Sequence, residues 1–412
     1  MARRRPSLPP FVRPFDRQRV LLGVTGGIAS YKSAWLARLL TQAGAEVDVV
    51  LTRSAGEFIG EVTFEALTGR PVHSALIAAG HALDHITLAR AANVVVVAPA
   101  TADFLARAVG GHADDLLSAC LLATSAPVLL VPAMNDHMWM HPQVQRNVVA
   151  ARALGLQLLE PETGALAVGE GHGPGRMPEP ETILAHIGRL LERDSSLRGR
   201  RVVVTAGPTR EPVDPVRFLS NRSSGRMGVE IAAAAWRRGA NVTLIAGPLD
   251  LPPPVGPHFV AVETTHDMHA AVADALPMAD VLVMAAAPAD FAAMNPSHQK
   301  IKKAHAPAAI ALTPTRDILL STRDLRPAHC VIVGFALETE NAVVEGRRKR
   351  HDKALDFVVI NSANEPGAGF GVDTNRVTIV GPDDRDDVLP LQSKRDVADA
   401  ILDRVEAVLR GR

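Results

Sequence analysis

Cysteine is nearly missing from this chain, neither sign of charge is in excess, and no hydrophobic run is long enough to cross a membrane. Each shortage closes a class of function. Cys120 and Cys330 are the two cysteines in 412 residues, one within LLSACLLAT and the other beside the apolar run VIVGF. Both are expected in cores, which argues against a disulfide framework and fits a reducing cytoplasm. Lys and Arg number 44 and Asp and Glu 44, so no bulk field gathers nucleic acid and binding must come from local sites. The apolar stretch at residues 20–27 falls well short of the ~20 residues of a membrane helix, and no membrane partner is expected. The opening MARRRPSLPPFVRPFDRQ is basic, but its prolines and charges run on without an apolar h-region, so a signal peptide is not expected in it. Residues 1–18 are expected to be a disordered arm.

What the chain does contain is a repeated grammar of strands and helices. At about 100–200 residues per domain the length allows two or three units, and the 47% apolar content can fill their cores. In the first half, continuous apolar runs at Val20–Val24, Val47–Leu51, Val94–Ala98 and Val128–Val131 alternate with helical patterns such as Tyr31–Ala43 and Asp114–Thr124. β-Branched runs of that kind suit strands buried on both faces, and interleaved helices imply a parallel sheet. The second half repeats this, with strands predicted at Arg201–Thr205, Asn241–Ala246, Asp280–Ala285, Cys330–Phe335 and Asp356–Ile360 and helices at Gly225–Arg238 and Glu338–Lys353. The expected fold class is α/β, two tandem doubly wound (Rossmann-like or flavodoxin-like) parallel-sheet domains. They should occupy residues 19–191 and 199–412, joined by a polar linker at 192–198.

Both halves open with a glycine-bearing strand-to-helix turn, GVTGGIASYK at Gly23–Lys32 and TAGPTREPVDPVRFLSNRSSGRMG at Thr205–Gly228. In the first, Gly26 and Gly27 let backbone approach a ligand, and the free N–H groups of the helix starting near Ser30 favour an anion. It is not GxGxxG, and a plain tight turn would use the same glycines. Three further strand exits carry small polar groups: Thr52-Arg53-Ser54, Ala100-Thr101 within APATAD, and Met134-Asn135 within PAMN. In an open α/β sheet the carboxyl ends of the strands line one crevice, so these four loops should converge on one ligand. His81 and His85, and His137 and His141, are spaced i, i+4, but zinc needs three or four ligands and neither a cysteine cluster nor HExxH accompanies them.

In the second half, Gly207–Glu211 and Ser220–Arg226 combine glycines, hydroxyls, an amide and arginines ahead of a helix. That set suits a triphosphate, although GxxxxGK[ST] is absent and a polar helix cap is the alternative. Asp290 leaves a strand in MAAAPADF, and Lys300 opens the loop KIKK. A carboxylate there can hold Mg²⁺ while a lysine meets phosphoryl charge. A solvated charge run is the alternative for KIKK.

TGGIASYK, the segment His85–Leu88, APATAD and PAMNDHMW resemble the flavin-dependent cysteine decarboxylases. With SNRSSGRMG added, the chain from residue 19 onward resembles the bifunctional phosphopantothenoylcysteine decarboxylase / phosphopantothenate-cysteine ligases of coenzyme A synthesis. The resemblance implies FMN at Gly26, Gly27, Thr52, Ser54, Ala100, Thr101 and Met134. It implies an active-site imidazole at His85 and a carboxylate-gripping amide at Asn135. One departure concerns the flap, where the family carries a proton-donating cysteine. Leu166–Met177 reads LAVGEGHGPGRM, with no cysteine at Val168 or Gly169. Glu170, His172 or a water would have to donate instead, with His172 favoured because an imidazole starts near neutral pH. Otherwise the first half is an FMN-binding assembly module beside an active ligase; a flavin prenyltransferase-like first domain is the third reading, and PAMNDHMW and His85 argue against it.

For the second half the resemblance implies an acyl-cytidylate ligase acting on CTP, 4'-phosphopantothenate and cysteine. Asn221 would contact the acyl intermediate, Asp290 the nucleotide and Mg²⁺, and Lys300 would serve the second step. Further CTP contacts fall on Met284, Ala285, Ala286, Arg316, Asp317, Ile318, Leu319, Phe335, Lys349 and Lys353. Pro288 and Arg316 stand where the family commonly has valine and proline, and neither change removes a functional group. A cytoplasmic homo-oligomer is implied, with trimeric contacts between decarboxylase domains and dimeric contacts between ligase domains.

Overall fold

The computed structural model describes residues 13–77, 79–80, 82–165, 171–302, 309–338, 341–362, 369, 371–383 and 385–412. The chain divides into two compact units, Met1–Glu192 and Arg193–Arg412.

In the first unit β1 (Arg19–Val24), β2 (Glu46–Leu51), β3 (Val72–His73), β4 (Val94–Ala100), β5 (Val128–Pro132) and β6 (Gln157–Leu158) form one sheet in the order β3-β2-β1-β4-β5-β6, every pair parallel. Between them run α1 (Ser30–Gln42), α2 (Arg53–Gly56), α3 (Glu61–Thr68), α4 (Asp84–Ala91), α5 (Ala102–Gly110), α6 (Leu116–Ala123), α7 (Asp136–Met140) and α8 (Pro142–Ala153). A hairpin of β7 (Glu162–Ala165) and β8 (His172–Arg176) and then α9 (Pro180–Leu191) complete it. The strand residues alternate between two cores: Val20, Leu22 and Val24 of β1 pack on one face and Leu21 on the other, as Val94 and Val96 oppose Val95 and Val97 in β4. At roughly 1.5–3 kcal/mol for each fully buried aliphatic side chain, two buried faces hold the sheet without help from its edges.

The second unit repeats the winding. Its strands are β9 (Arg201–Ala206), β10 (Arg210–Pro212), β11 (Phe218–Ser220), β12 (Asn241–Ala246), β13 (His258–Ala261), β14 (Val281–Met284), β15 (Phe291–Ala293), β16 (Leu312–Pro314), β17 (Val331–Glu338), β18 (Phe357–Ser362), β19 (Thr374–Asn375), β20 (Val377–Val380), β21 (Asp386–Val388) and β22 (Gln392–Ser393). The helices are α10 (Arg226–Arg237), α11 (Thr265–Ala275), α12 (Ile318–Ser321), α13 (Ala342–Asp352) and α14 (Lys394–Gly411). The main sheet runs β13-β12-β9-β14-β17-β18-β20-β21. Taken in chain order, its parallel strands follow the same 3-2-1-4-5-6 path as the first unit. This is the Rossmann order, in which the winding reverses beside the first strand and leaves a crevice at the strand ends.

Three expectations need correction. The arm expected through residue 18 ends sooner, because Phe15 is buried in the first core and the Gln18 carbonyl accepts the Glu46 N–H at 2.9 Å; residues 1–12 lie outside the described residues. The segment expected as a free linker is built into the second unit, where Leu197 is fully buried and Ser195 donates to Glu406 Oε1 at 2.6 Å. The second sheet is not wholly parallel, since β20 and β21 extend it antiparallel.

Candidate functional sites at two strand-exit crevices

In the first unit the strand exits are tied into one rim. Thr25, just past β1, donates from Oγ1 to the Pro99 carbonyl at 2.8 Å and accepts the Thr101 N–H at 3.1 Å, which joins the exits of β1 and β4 at the switch point. The Val24 carbonyl accepts the Thr52 N–H at 3.1 Å, and the Ala100 carbonyl accepts the Ala133 N–H at 3.2 Å, drawing in β2 and β5. A Cβ on Gly26 would stand 2.5 Å from that of Ser54, so the loops meet too closely for any side chain there. Gly27 is different: an added Cβ would meet only Thr101 Cγ2, at 3.9 Å, and backbone faces open space. Thr52 and Thr101 also cap α2 and α5 by accepting the Ala55 and Phe104 N–H groups at 3.3 Å. The seven residues expected to hold a flavin, Gly26, Gly27, Thr52, Ser54, Ala100, Thr101 and Met134, thus share one rim.

The β7–β8 hairpin lies across the β5 exit. Met134 donates its N–H to the Gly175 carbonyl at 3.0 Å, and a Cβ on Gly175, whose φ is +148°, would collide with the Met134 carbonyl at 2.1 Å. Lys32 of α1, buried, donates to the Met177 carbonyl at 2.8 Å and pairs with Glu179 at 3.1 Å, fixing the far end of the hairpin to the glycine turn. Asn135 caps α7, its Oδ1 accepting the His137 N–H at 2.9 Å. The Asx-type turn and the substrate-gripping role are therefore compatible: the oxygen is committed and the amide N–H₂ is not. His172 is exposed on β8. Val168, Gly169 and Glu170, like His81, lie outside the described residues.

His85 does not join that rim within one chain. It sits in the first turn of α4 and lines a separate cavity of 490 Å³ with Leu76, Ile77, Ala113, Ala119 and Leu122. Its Nδ1 is buried without a hydrogen-bond partner.

In the second unit the switch point lies between β9 and β14. Thr205 Oγ1 accepts the Ala286 N–H at 3.1 Å, the Gly207 carbonyl accepts the Ala287 N–H at 2.9 Å, and Thr209 Oγ1 accepts the Ala289 N–H at 2.9 Å. Gly225 closes the crevice floor with φ +75°; a Cβ there would lie 2.2 Å from Leu249 Cδ2 and 3.0 Å from the Gly207 nitrogen. Above it opens a cavity of 570 Å³. Met284, Ala285, Ala286 and Asp290 form one wall, and Arg316, Asp317, Ile318 and Leu319 a second. Phe335, Lys349 and Lys353 form a third, and Asn221 reaches in from the end of β11.

The charges in this cavity are ordered. Lys353 Nζ pairs with Asp317 Oδ2 at 2.6 Å, and Lys349 Nζ donates to the Phe335 carbonyl at 2.6 Å. Burial would push the Asp317 carboxyl up, but the Lys353 hydrogen bond and charge outweigh it and hold Asp317 below the usual carboxylate range. Asn221 donates both amide hydrogens, to the Ala287 and Pro288 carbonyls at 3.1 and 2.9 Å. Only its oxygen is left to accept. Among the described residues no three His, Cys, Asp or Glu side chains gather as a metal cluster, so a divalent ion at Asp290 would need oxygens from its nucleotide, as Mg²⁺ commonly does.

Lys300 stands apart from the cavity of its own chain, exposed on the loop after β15. That loop is pinned: Ser297 donates its N–H to Val213, Ile301 donates to Asp214 Oδ2 at 3.1 Å, and Arg217 Nη2 donates to the Ile301 carbonyl at 2.9 Å. The Arg217 hydrogen bonds hold the buried Asp214 carboxyl far below its ordinary range. Lys303, the last lysine of KIKK, lies outside the described residues.

The cavity also contains Asn361, Asn375 and Lys394, which sequence reasoning did not single out. For Lys394 a signal existed. It is the first residue of α14, and a cation in the first turn opposes the helix dipole.

Residues 13–192 match the family described as Flavoprotein, and residues 197–409 match the DNA/pantothenate metabolism flavoprotein C-terminal domain. The chain is 44% identical over 409 residues to the coenzyme A biosynthesis bifunctional protein CoaBC of Mycolicibacterium smegmatis, covering 96% of this chain and 98% of that one. It is 40% identical over 393 residues to the protein of the same name from Escherichia coli, covering 94% and 96%. Among solved structures, the C-terminal domain of a CoaBC protein is similar at 35% identity and a TM-score of 0.46, covering 53% of this chain and 100% of that one.

Proposed function

Because the chain belongs to the family of bifunctional coenzyme A biosynthesis proteins, we propose that its two crevices divide the family's two reactions, ligation in the second unit and decarboxylation in the first. The protein is a flavoprotein enzyme of coenzyme A biosynthesis with phosphopantothenate-cysteine ligase and phosphopantothenoylcysteine decarboxylase activities.

The ligase assignment is carried by the 570 Å³ cavity, which gathers backbone, hydroxyl, carboxylate and lysine groups at a switch point. CTP fits that donor set. The 4'-phosphopantothenate carboxylate attacks the α-phosphate, forming an acyl-cytidylate and releasing pyrophosphate. The cysteine amine then attacks the acyl carbon, giving the amide, CMP and a proton. Met284–Ala286, Arg316–Leu319, Phe335, Lys349 and Lys353 would hold the nucleotide. Asp290 would hold Mg²⁺ together with phosphate oxygens, and the Asn221 oxygen would steer the acyl group. Lys300 would meet the charge on departing CMP. Its loop lies outside the cavity of its own chain, which supports its acting on the cavity of a second copy.

In the first unit the residues fit FMN. Gly27 leaves backbone bare, Gly26 permits the close loop crossing, and the N-terminus of α1 has no side-chain cap, a setting suited to a phosphate. FMN when bound would supply a two-electron acceptor that is restored within the turnover. The chain's own groups orient the substrate: the Asn135 amide donates to its carboxylate and the His85 imidazole acts on its thiol end. With no cysteine at Val168 or Gly169, His172 is the side chain on the described part of the flap suited to return the final proton, and Glu170 is the alternative. His85 is separated from the flavin rim in one chain, and Ile28 and Tyr31, in the glycine turn and the first turn of α1, are 67% and 64% exposed. Both features support a homo-oligomer; trimeric contacts through this unit and dimeric contacts through the other are what the family resemblance implies. Reduced, buried cysteines support a cytoplasmic location.

The test is product analysis with 4'-phosphopantothenate, cysteine, CTP and Mg²⁺. The expected products are 4'-phosphopantetheine, CO2, CMP and pyrophosphate. Arrest at 4'-phosphopantothenoylcysteine would make the first unit a binding module instead.

A further inference from the structure

The positive features of the ligase cavity converge at one end, where no described carboxylate pairs with the buried cation. Lys394 is 5% exposed, and its ammonium donates to the Gly369 carbonyl at 2.9 Å, with no ion pair to any described carboxylate. An ammonium has three hydrogens to donate. The cavity's other two lysines are committed, Lys353, just past α13, to Asp317 and Lys349 of α13 to the Phe335 carbonyl. Lys394 also begins the 18-residue α14, whose N-terminal dipole repels it. Arg226, which begins the 12-residue α10 and ion-pairs with Asp373, repels it further, while Glu230 attracts it. Burial first, and then Arg226, bring its pKa down to about 8. Beside it Asn375 is 3% exposed with Oδ1 unpartnered, and a half-turn of the amide presents its two N–H donors to a ligand instead. Two helix N-termini, two cations and a buried amide without a full set of partners make a poor structural cluster. They make a good anion site.

We infer that Lys394, with Asn375 and the N-terminus of α10, binds a phosphoryl group at the end of the cavity beside Ser223-Ser224-Gly225. The ligand chemistry is a phosphate dianion or polyphosphate, supplied by the CTP triphosphate or by the 4'-phosphate of the acyl substrate. This inference rests on the cavity being the ligase site. Lys394 positions the phosphate and takes no part in bond making.

The experiment uses the full-length protein and Lys394→Met, which keeps the length of the side chain and removes the charge. KM is measured separately for CTP and for 4'-phosphopantothenate, and melting temperature with and without inorganic pyrophosphate. Loss of one charge-assisted hydrogen bond should raise one KM about 10- to 100-fold. A rise for CTP, with pyrophosphate no longer raising the melting temperature, assigns the triphosphate; a rise for 4'-phosphopantothenate alone assigns the 4'-phosphate. Removing a buried cation without an anionic partner should leave the unliganded melting temperature level or higher, whereas a structural lysine would lower it. Unchanged values of both KM overturn the inference while leaving the ligase reading intact. Failure of wild-type protein to bind CTP sinks that reading itself. Should Lys394→Met not fold, acylation of Lys394 in wild-type protein decides: protection by CTP, pyrophosphate or 4'-phosphopantothenate is expected, and equal labelling with all three overturns the inference.

Discussion

Thr25 and Thr205 hold equivalent posts in the two units. Each sits at the carboxyl end of the first strand of its sheet, and each accepts, at 3.1 Å, a backbone N–H from the exit of the fourth strand: Thr101 for Thr25 and Ala286 for Thr205. Both side chains are buried, at 2% and 0% exposure. The hydroxyl bridges the point where each sheet reverses its winding, and the candidate ligand lies above that bridge.

Thr25→Val and Thr205→Val should therefore dissociate the two activities. Each keeps the side-chain shape and leaves a buried N–H unpaired, at about 1–3 kcal/mol per orphaned group. Thr25→Val is expected to purify with reduced flavin absorbance and normal CMP release, and Thr205→Val the reverse. Parallel loss of both activities in either variant would mean global destabilisation.

Gly225→Ala should abolish ligation while sparing flavin content. Its φ of +75° and the 2.2 Å approach to Leu249 oppose a side chain from two directions. Adding Leu249→Ala should restore little, because the Gly207 backbone is also 3.0 Å away. Full recovery in the double variant would show that packing alone set the requirement.

His85→Asn should retain flavin and lose decarboxylation about 10²–10⁴-fold, read as CO2 release from 4'-phosphopantothenoylcysteine. Flavin loss would recast His85 as structural. In His172→Ala an oxidised ene-thiol product should accumulate, and wild-type rates of saturated thiol would remove His172 as the proton donor.

Lys300→Gln should release pyrophosphate but form amide product about 10²–10³-fold more slowly, since only the second step needs its charge. Asn221→Asp should impair both steps. Its carboxylate would face the Ala287 and Pro288 carbonyls at about 3 Å, where the amide now donates, and so disturb the cavity wall itself. Wild-type amide formation by either variant would place that residue outside the site.

Neither cysteine should react with a thiol reagent at pH 8 in the folded protein, and both should react on unfolding. Burial first, then Asp115 and Asp84, push the Cys120 thiol to about 12; burial and Asp356 do the same for Cys330. A thiol raised in the folded state favours folding below its ordinary pKa. That contribution is lost as pH climbs through the range from about 9 to 12. A melting temperature flat across that range in wild-type protein, but falling in Cys120→Ala, would contradict it.

Much of the fold was legible because the strands are continuous apolar runs buried on both faces, as the β-branched run Val94–Val97 shows. The antiparallel β20 and β21 were not: DDV carries no apolar signature, and the apolar VTIV of β20 does not say in which direction it joins the sheet. Leu197 looked like linker because one leucine among charged residues has no periodicity, yet the second core covers it completely.

The sequence by itself determined which residue types stand at the strand exits, since glycine, threonine and asparagine at the ends of apolar runs are local facts. It also determined that the flap lacks a cysteine. Tertiary structure alone decided which of those residues meet. It placed Asn221 and the segments 284–290, 316–319, 335 and 349–353 around one cavity although up to 132 positions of chain separate them, kept His85 and Lys300 out of the crevices of their own chain, and brought Lys394 from the final helix to an end of the cavity rich in positive charge. The reason is physical. Strand propensity and turn chemistry act over a few residues, whereas the winding order that sets neighbours in a sheet comes from burying both faces at once.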